Sequence, residues 1–227
     1  MLAAMNTQVL IDGLISYLCF IPLLTFHEFA HAWVAWKCGD NTARDQGRVT
    51  LNPIAHIDTV GTIVLPLLSV FLGATAASGL SSFIIGWGRP VPVNLSNLSK
   101  PRWHDTLIAL AGPAMNVLLA IAIVGIGKIA GMFGAAAVVE MADRLAVLSL
   151  FLCFFNMLPI PPLDGSHVVK NLIRMKHETY WQLCQWGFIA VIIIWQIPAV
   201  RMAVELATVL CLKVIRFAFA LPPFRGF

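Results

Sequence analysis

Long apolar runs broken by three short polar stretches set the plan of this 227-residue chain. A helix that crosses a bilayer needs roughly 20 mainly apolar residues. Runs at about 8–36, 60–80, 105–131, 141–158 and 183–213 reach or approach that length. The last is long enough to tilt, or to break at Pro198 into two shorter helices. The pattern predicts five or six membrane helices. The polar stretches lie at 37–59, 81–104 and 164–181. In the first, "GRVTL" (47–51) reads as a short strand and the following Asn52–Pro53 as a turn. In the second, glycines and prolines around "VPVNL" (91–95) predict an extended segment or hairpin, and Trp87 and Trp103 suit a membrane–water boundary. The expected fold class is an all-α polytopic membrane protein with short extended or β segments in its loops. Residues 1–227 read as a single membrane-embedded domain.

Composition supports this plan. Hydrophobic residues make up 59% of the chain and charged residues 11%, with a mean hydropathy of +0.84. Soluble domains carry about 25% charged residues. The opening "MLAAMNTQVL" has no basic stretch, and the apolar run after it is too long for a secretory signal, so the first segment reads as retained. A net charge of +4 suits anionic lipid at one face. The basic residues are scattered and argue against nucleic acid. The first two polar stretches each hold three Lys or Arg (37, 44, 48 and 89, 100, 102), so charge does not orient the chain. The five cysteines share no CxxC spacing and read as free packing thiols.

One apolar stretch carries chemistry. In "LLTFHEFAHAWVAW" (23–36), His27 and His31 are four residues apart, which places both imidazoles on one helix face. Two such nitrogens can bind one zinc ion. Glu28 is rotated about 100° from His27, so it stands beside the coordination sphere without entering it. There it can take a proton from a zinc-activated water. Ionisable groups inside a membrane helix are functional by default.

Catalytic zinc usually takes three protein ligands and leaves one position open. The candidate third ligand is Asp164, in "FFNMLPIPPLDGSHVV" (154–169), where Pro159, Pro161 and Pro162 forbid a regular helix. Broken backbone at membrane depth is tolerated only where protein or a water-filled cavity satisfies it. A helix-capping role at a membrane boundary is the competing reading of Asp164. Asn116 and Asn156 also lie in apolar runs. Their amides either bind substrate and a developing oxyanion, or tie helices together. Gly112 reads as a site of close helix approach.

"HEFAH" in an apolar segment, then "GPAMN", then "NMLPIPPLDG", resembles the site-2 protease family of intramembrane zinc metallopeptidases. The motifs follow the family's order over residues 27–165, and "GRVTLNPIAHIDTVGT" and "GWGRPVPVN" add likeness to its small bacterial members. The resemblance implies membrane helices around one intramembrane zinc per chain, held by His27, His31 and Asp164 toward the cytosolic side. It implies Glu28 as general base and Asn156 as an active-site asparagine. The chain is too short for the PDZ domains of some relatives, and no nucleotide-binding module follows residue 213, so a core-only member is expected.

The function expected is cleavage of a transmembrane segment of a membrane-anchored protein, at a bacterial inner membrane, with the oligomeric state left open. A metal transporter or chaperone would use the same ligands but would have no need of Glu28. A silent scaffold would be expected to show a damaged motif. Two further histidines extend the expectation. His56, in "NPIAHIDT", reads either as a histidine at the membrane surface or as a fourth zinc ligand that closes the resting site, and His167, three residues past Asp164, either as an ordinary helix-end histidine or as that ligand.

Overall fold

A computed structural model describes residues 6–75 and 86–222. The described residues form helices α1 (Thr7–Lys37), α2 (Thr42–Asp45), α3 (Leu65–Ala74), α4 (Pro101–Met132), α5 (Ala136–Asn156), α6 (Asp164–Leu172), α7 (His177–Trp195) and α8 (Pro198–Ala218), with a π-helical turn at Thr59–Val64 leading into α3. Asn6 starts α1 by accepting the amides of Gln8 and Val9, two of the donors a helix N-terminus leaves free. The buried face of α1 then runs Phe20, Leu23, Leu24, His27, Ala30, His31, Ala35, at helical spacing.

α4 is the central helix, packed on α5 and α1 most extensively and on α6 beyond them. Its inner face is built of small residues. Ala120 and Val124 meet Ala146 and Leu150 of α5 and Leu212 and Ile215 of α8, forming one core cluster. Phe20, Leu23 and Leu24 of α1 pack with Leu152 of α5 in a second. Ala35 of α1, Ile108 of α4 and Leu98 form a third, beside the loops.

Among the described residues, α1 and α4 are long and apolar enough to cross a membrane, and a third span results if α7 and α8 are one broken crossing. That pair is bent by 85° at the expected Pro198 break. α5 is 21 residues long but carries Glu140, Asp143 and Arg144 in its first half. Thr59–Ala74 is apolar but short, and part of the expected 60–80 run lies outside the described residues.

The expected β segments are corrected: no strand occurs among the described residues. "GRVTL" bends instead of extending, because Arg48 turns inward and its amide closes back onto the carbonyl of Ala43. Residues 86–94 lack regular structure and make only isolated bonds. The amide of Trp87 reaches Gly61 O at 3.0 Å, and that of Arg89 reaches His56 O at 2.8 Å. Asn94 then caps a 3-10 turn over Leu95–Asn97.

Two buried charges tie this segment to the loop after α1. Arg48, 3% exposed, donates to Pro90 O at 3.2 Å and to Arg89 O. Asp40 is fully buried and accepts from the Thr42 amide (3.1 Å), the Thr42 hydroxyl (2.5 Å), the Asn94 amide (2.7 Å) and Asn97 Nδ2 (2.8 Å). Burial alone would raise the Asp40 pKa; these donors outweigh it and hold the carboxyl below its ordinary value. The segment is thus strapped down at both ends, next to Glu28.

Candidate metal centre

His27 and His31 project from one face of α1 toward α4 and α6. Their Nε2 atoms are 3.1 Å apart, and Asp164 Oδ2 lies 3.2 Å from the first and 3.4 Å from the second. The three side chains offer one ligand atom each, all within 4.8 Å of one another, and they form the one such group among the described residues. Asp164 is the first residue of α6, brought there by the turn through Pro159, Pro161 and Pro162. Gly165 lets that turn close, since a side-chain carbon on it would stand 2.7 Å from the carbonyl oxygen of Leu158.

The outer nitrogens are also engaged. His31 Nδ1 lies 2.6 Å from the carbonyl oxygen of Ile108, which accepts only if Nδ1 carries the proton. The Nε2 lone pair then points at the shared space. His27 Nδ1 lies 3.0 Å from Nδ2 of Asn116, which is fully buried and whose Oδ1 is without a hydrogen-bond partner among the described residues. Turned so that this oxygen accepts from Nδ1–H, the amide satisfies both groups and frees the Nε2 of His27 in the same way. Asp164 Oδ2 is a buried acceptor with no hydrogen-bond donor assigned to it. Two imidazole lone pairs and one carboxylate oxygen, converging and unfilled by any side chain, fit a divalent metal with nitrogen and oxygen preference.

Gly112 makes the space. A side-chain carbon there would stand 2.6 Å from His27 Nε2, inside the cluster. Glu28, partly buried beside His27, lies against the strapped segment. A carbon on Gly88 would be 3.0 Å from its Oε1. The carboxylate is therefore confined between the metal-binding face and residues 86–89.

The other expected residues are placed differently. Asn156 ends α5 and donates to Leu152 O at 2.9 Å, partly buried. His56 is 1% exposed, with Nε2 on Thr50 O at 2.9 Å, and is outside the three-residue group. His167 turns to Asp105, Nδ1 to Oδ1 at 3.1 Å. Neither histidine belongs to the three-residue group in this conformation. Asp105 and Arg48 were not singled out by the sequence. Asp105 stands at the start of an apolar helix and Arg48 in a polar loop, and no local pattern marks either.

Residues 15–134 and 123–194 match peptidase family M50. The chain belongs to that family, the site-2 proteases, and is a membrane metalloprotease. It is 37% identical to "Putative zinc metalloprotease YwhC" of Bacillus subtilis, over 82% of this chain and 83% of that protein. It is 28% identical to "Putative zinc metalloprotease Rip2" of Mycolicibacterium smegmatis, over 78% of this chain and 65% of that protein. For the Rip2 protein of Mycobacterium tuberculosis strain Erdman the identity is 31%, over 66% of this chain and 54% of that protein. No solved structure matches the chain.

Proposed function

We propose that the protein is an intramembrane zinc endopeptidase that cleaves a transmembrane segment of a membrane-anchored substrate, as a step of regulated intramembrane proteolysis. The observation that carries the reading is the convergence of His27, His31 and Asp164 beside Glu28. Membership of family M50 and the zinc metalloprotease names of the relatives support it.

His27, His31 and Asp164 hold one zinc per chain. Bound there, zinc supplies a Lewis acid and brings the pKa of a water toward ~7. Glu28 takes the proton from the attacking water and returns it to the leaving amine. Asn116 and the Ile108 carbonyl keep the two imidazoles in the tautomer that binds metal. In this role Asn116 serves the site through His27 and not through the substrate oxyanion. Asn156 holds the substrate or orients Asp164. A peptide bond inside a regular helix is shielded by its own hydrogen bonds, so the substrate must unwind, and the irregular segment at 86–94, beside Glu28, is where it can pair as an added strand.

In this reading residues 1–227 are one membrane-embedded peptidase domain with five or six membrane segments, multi-pass in a bacterial inner membrane. The test is to compare membrane peptides from cells carrying the wild type with those carrying Glu28→Gln. Fragments cut within a transmembrane segment should be present in the first and missing in the second. Identical peptide sets would refute the proposal.

A further inference from the structure

The third ligand sits on a helix with little to steady it from its own end. α6 has nine residues, and Leu163 before it supplies no side-chain cap. The chain entering it is the proline turn, which donates few backbone amides. What grips α6 is Asp105, in the first turns of α4 and 5% exposed. Its Oδ1 is 3.1 Å from His167 Nδ1; its Oδ2 is 2.6 Å from Lys170 Nζ and 2.7 Å from Asn171 Nδ2. All three donors belong to α6, at positions i, i+3 and i+4, hence on one face. Lys170, itself 5% exposed, also lies 4.7 Å from the Tyr180 ring, whose hydroxyl is 2.8 Å from Ser166 Oγ.

A buried ion pair adds little net stability, since desolvation offsets the Coulomb gain. What three charge-assisted bonds to one carboxylate do supply is a fixed orientation. The register of α4 shows what is oriented. Asp105, Ile108, Gly112 and Asn116 follow one another at steps of three and four along its buried face. Ile108 fixes His31, Gly112 leaves room for both rings, and Asn116 fixes His27.

We propose that Asp105 is the positioning residue for Asp164: through His167, Lys170 and Asn171 it seats α6 so that the carboxylate meets the two imidazoles, making α4 the frame for all three ligands. The inference rests on the zinc reading above.

The experiment measures zinc affinity of the full-length protein in detergent by competition with a chromophoric chelator, and the visible spectrum of the cobalt-substituted protein. Asp105→Asn should weaken zinc about 10-fold, the lower end of what supporting partners of metal ligands contribute, and shift the cobalt bands. Asn171→Ala should do the same to a smaller extent, and keeps the test available if Asp105→Asn does not fold. In an Asp164→Ala background, already weak for zinc, Asp105→Asn should have no further effect. If His31→Ala loses zinc while Asp105→Asn and Asn171→Ala keep wild-type affinity and spectrum, Asp105 merely joins two helices and the inference fails. If His31→Ala also keeps its zinc, the zinc reading itself has failed and this inference goes with it.

Discussion

Gly112 lies directly beneath the two imidazoles: a side-chain carbon on it would stand 2.6 Å from Nε2 of His27 and closer still to Nε2 of His31. In an exposed helix, replacing Gly by Ala adds about 1 kcal/mol of stability. Here the methyl would occupy the space where the ligand atoms converge. Gly112→Ala is therefore expected to keep its helical circular dichroism and lose most of its zinc, to roughly a tenth of the wild-type content or less. Metal analysis of the purified protein decides; a zinc-replete Gly112→Ala protein would show that the rings bind elsewhere.

Glu28 separates proton transfer from metal binding. It is not in the three-residue ligand group. Glu28→Gln keeps shape and hydrogen-bonding capacity but cannot take a proton. Zinc content should stay at the wild-type level while cleavage falls by roughly 10²–10⁴-fold, the usual range for a general base. Loss of zinc in this variant would instead make Glu28 a ligand.

The pairing of His27 and His31 was legible in the sequence because helical spacing is a local property, whereas Asp164 read as either a ligand or a helix cap until the likeness to the site-2 proteases favoured the first. His27 and His31 had to share a face, and the prolines before Asp164 had to break the chain. The break at Pro198 was legible for the same reason. What holds the ligands was not legible. Asp105 and His167 are separated by 62 positions, and Asn116 and His27 by 89, so no local pattern links them. The loop strands were expected from composition, but a strand needs a partner of matching register. Residues 86–94 meet instead the carbonyls of Gly61 and His56, the Thr62 hydroxyl, the Arg48 guanidinium and the Asp40 carboxylate. His56 looked available as a ligand because its burial against Thr50 depends on how that loop folds.

Asn116 is expected to act on metal affinity. Its amide meets His27 Nδ1 at 3.0 Å in a site closed to solvent. Asn116→Leu removes the acceptor at similar volume and should weaken zinc by about 10–100-fold. A substrate-binding asparagine would leave zinc untouched and raise KM alone, so affinity and kinetics measured on one preparation distinguish the two roles.

His56 is expected to contribute to stability and not to the metal. His56→Ala should retain zinc with unchanged affinity. It should also melt earlier, by the roughly 2–4 kcal/mol typical of truncating a large buried side chain. Weaker zinc binding in a correctly folded His56→Ala protein would restore it as a ligand.

The layer that straps residues 86–94 beside Glu28 should loosen in acid in two stages. Burial, with a smaller contribution from Arg48, holds the His56 imidazole below its ordinary value, although the Thr50 carbonyl acts the other way. The folded state keeps this ring neutral, while the unfolded chain takes up a proton near its reference value of about 6.5. Below that pH the unfolded state binds more protons, so stability falls as pH falls. Asp40 repeats the logic lower down. Its donors from Thr42, Asn94 and Asn97 outweigh burial and depress its pKa in the fold. Its contribution is complete above the unfolded value of about 3.9 and is lost as pH drops toward the folded one. Thermal melting in detergent from pH 8 to 3 should show a first decline beginning near 6.5 and a second below about 4.5. His56→Gln should flatten the first, and Asp40→Asn the second at the cost of a lower melting point throughout. Hydrogen exchange locates the change. The Arg89 amide, bonded to the His56 carbonyl, should open in the first stage, and the Asn94 amide, bonded to Asp40, in the second. A wild-type profile in both variants would mean that the acid response comes from the metal-binding residues instead.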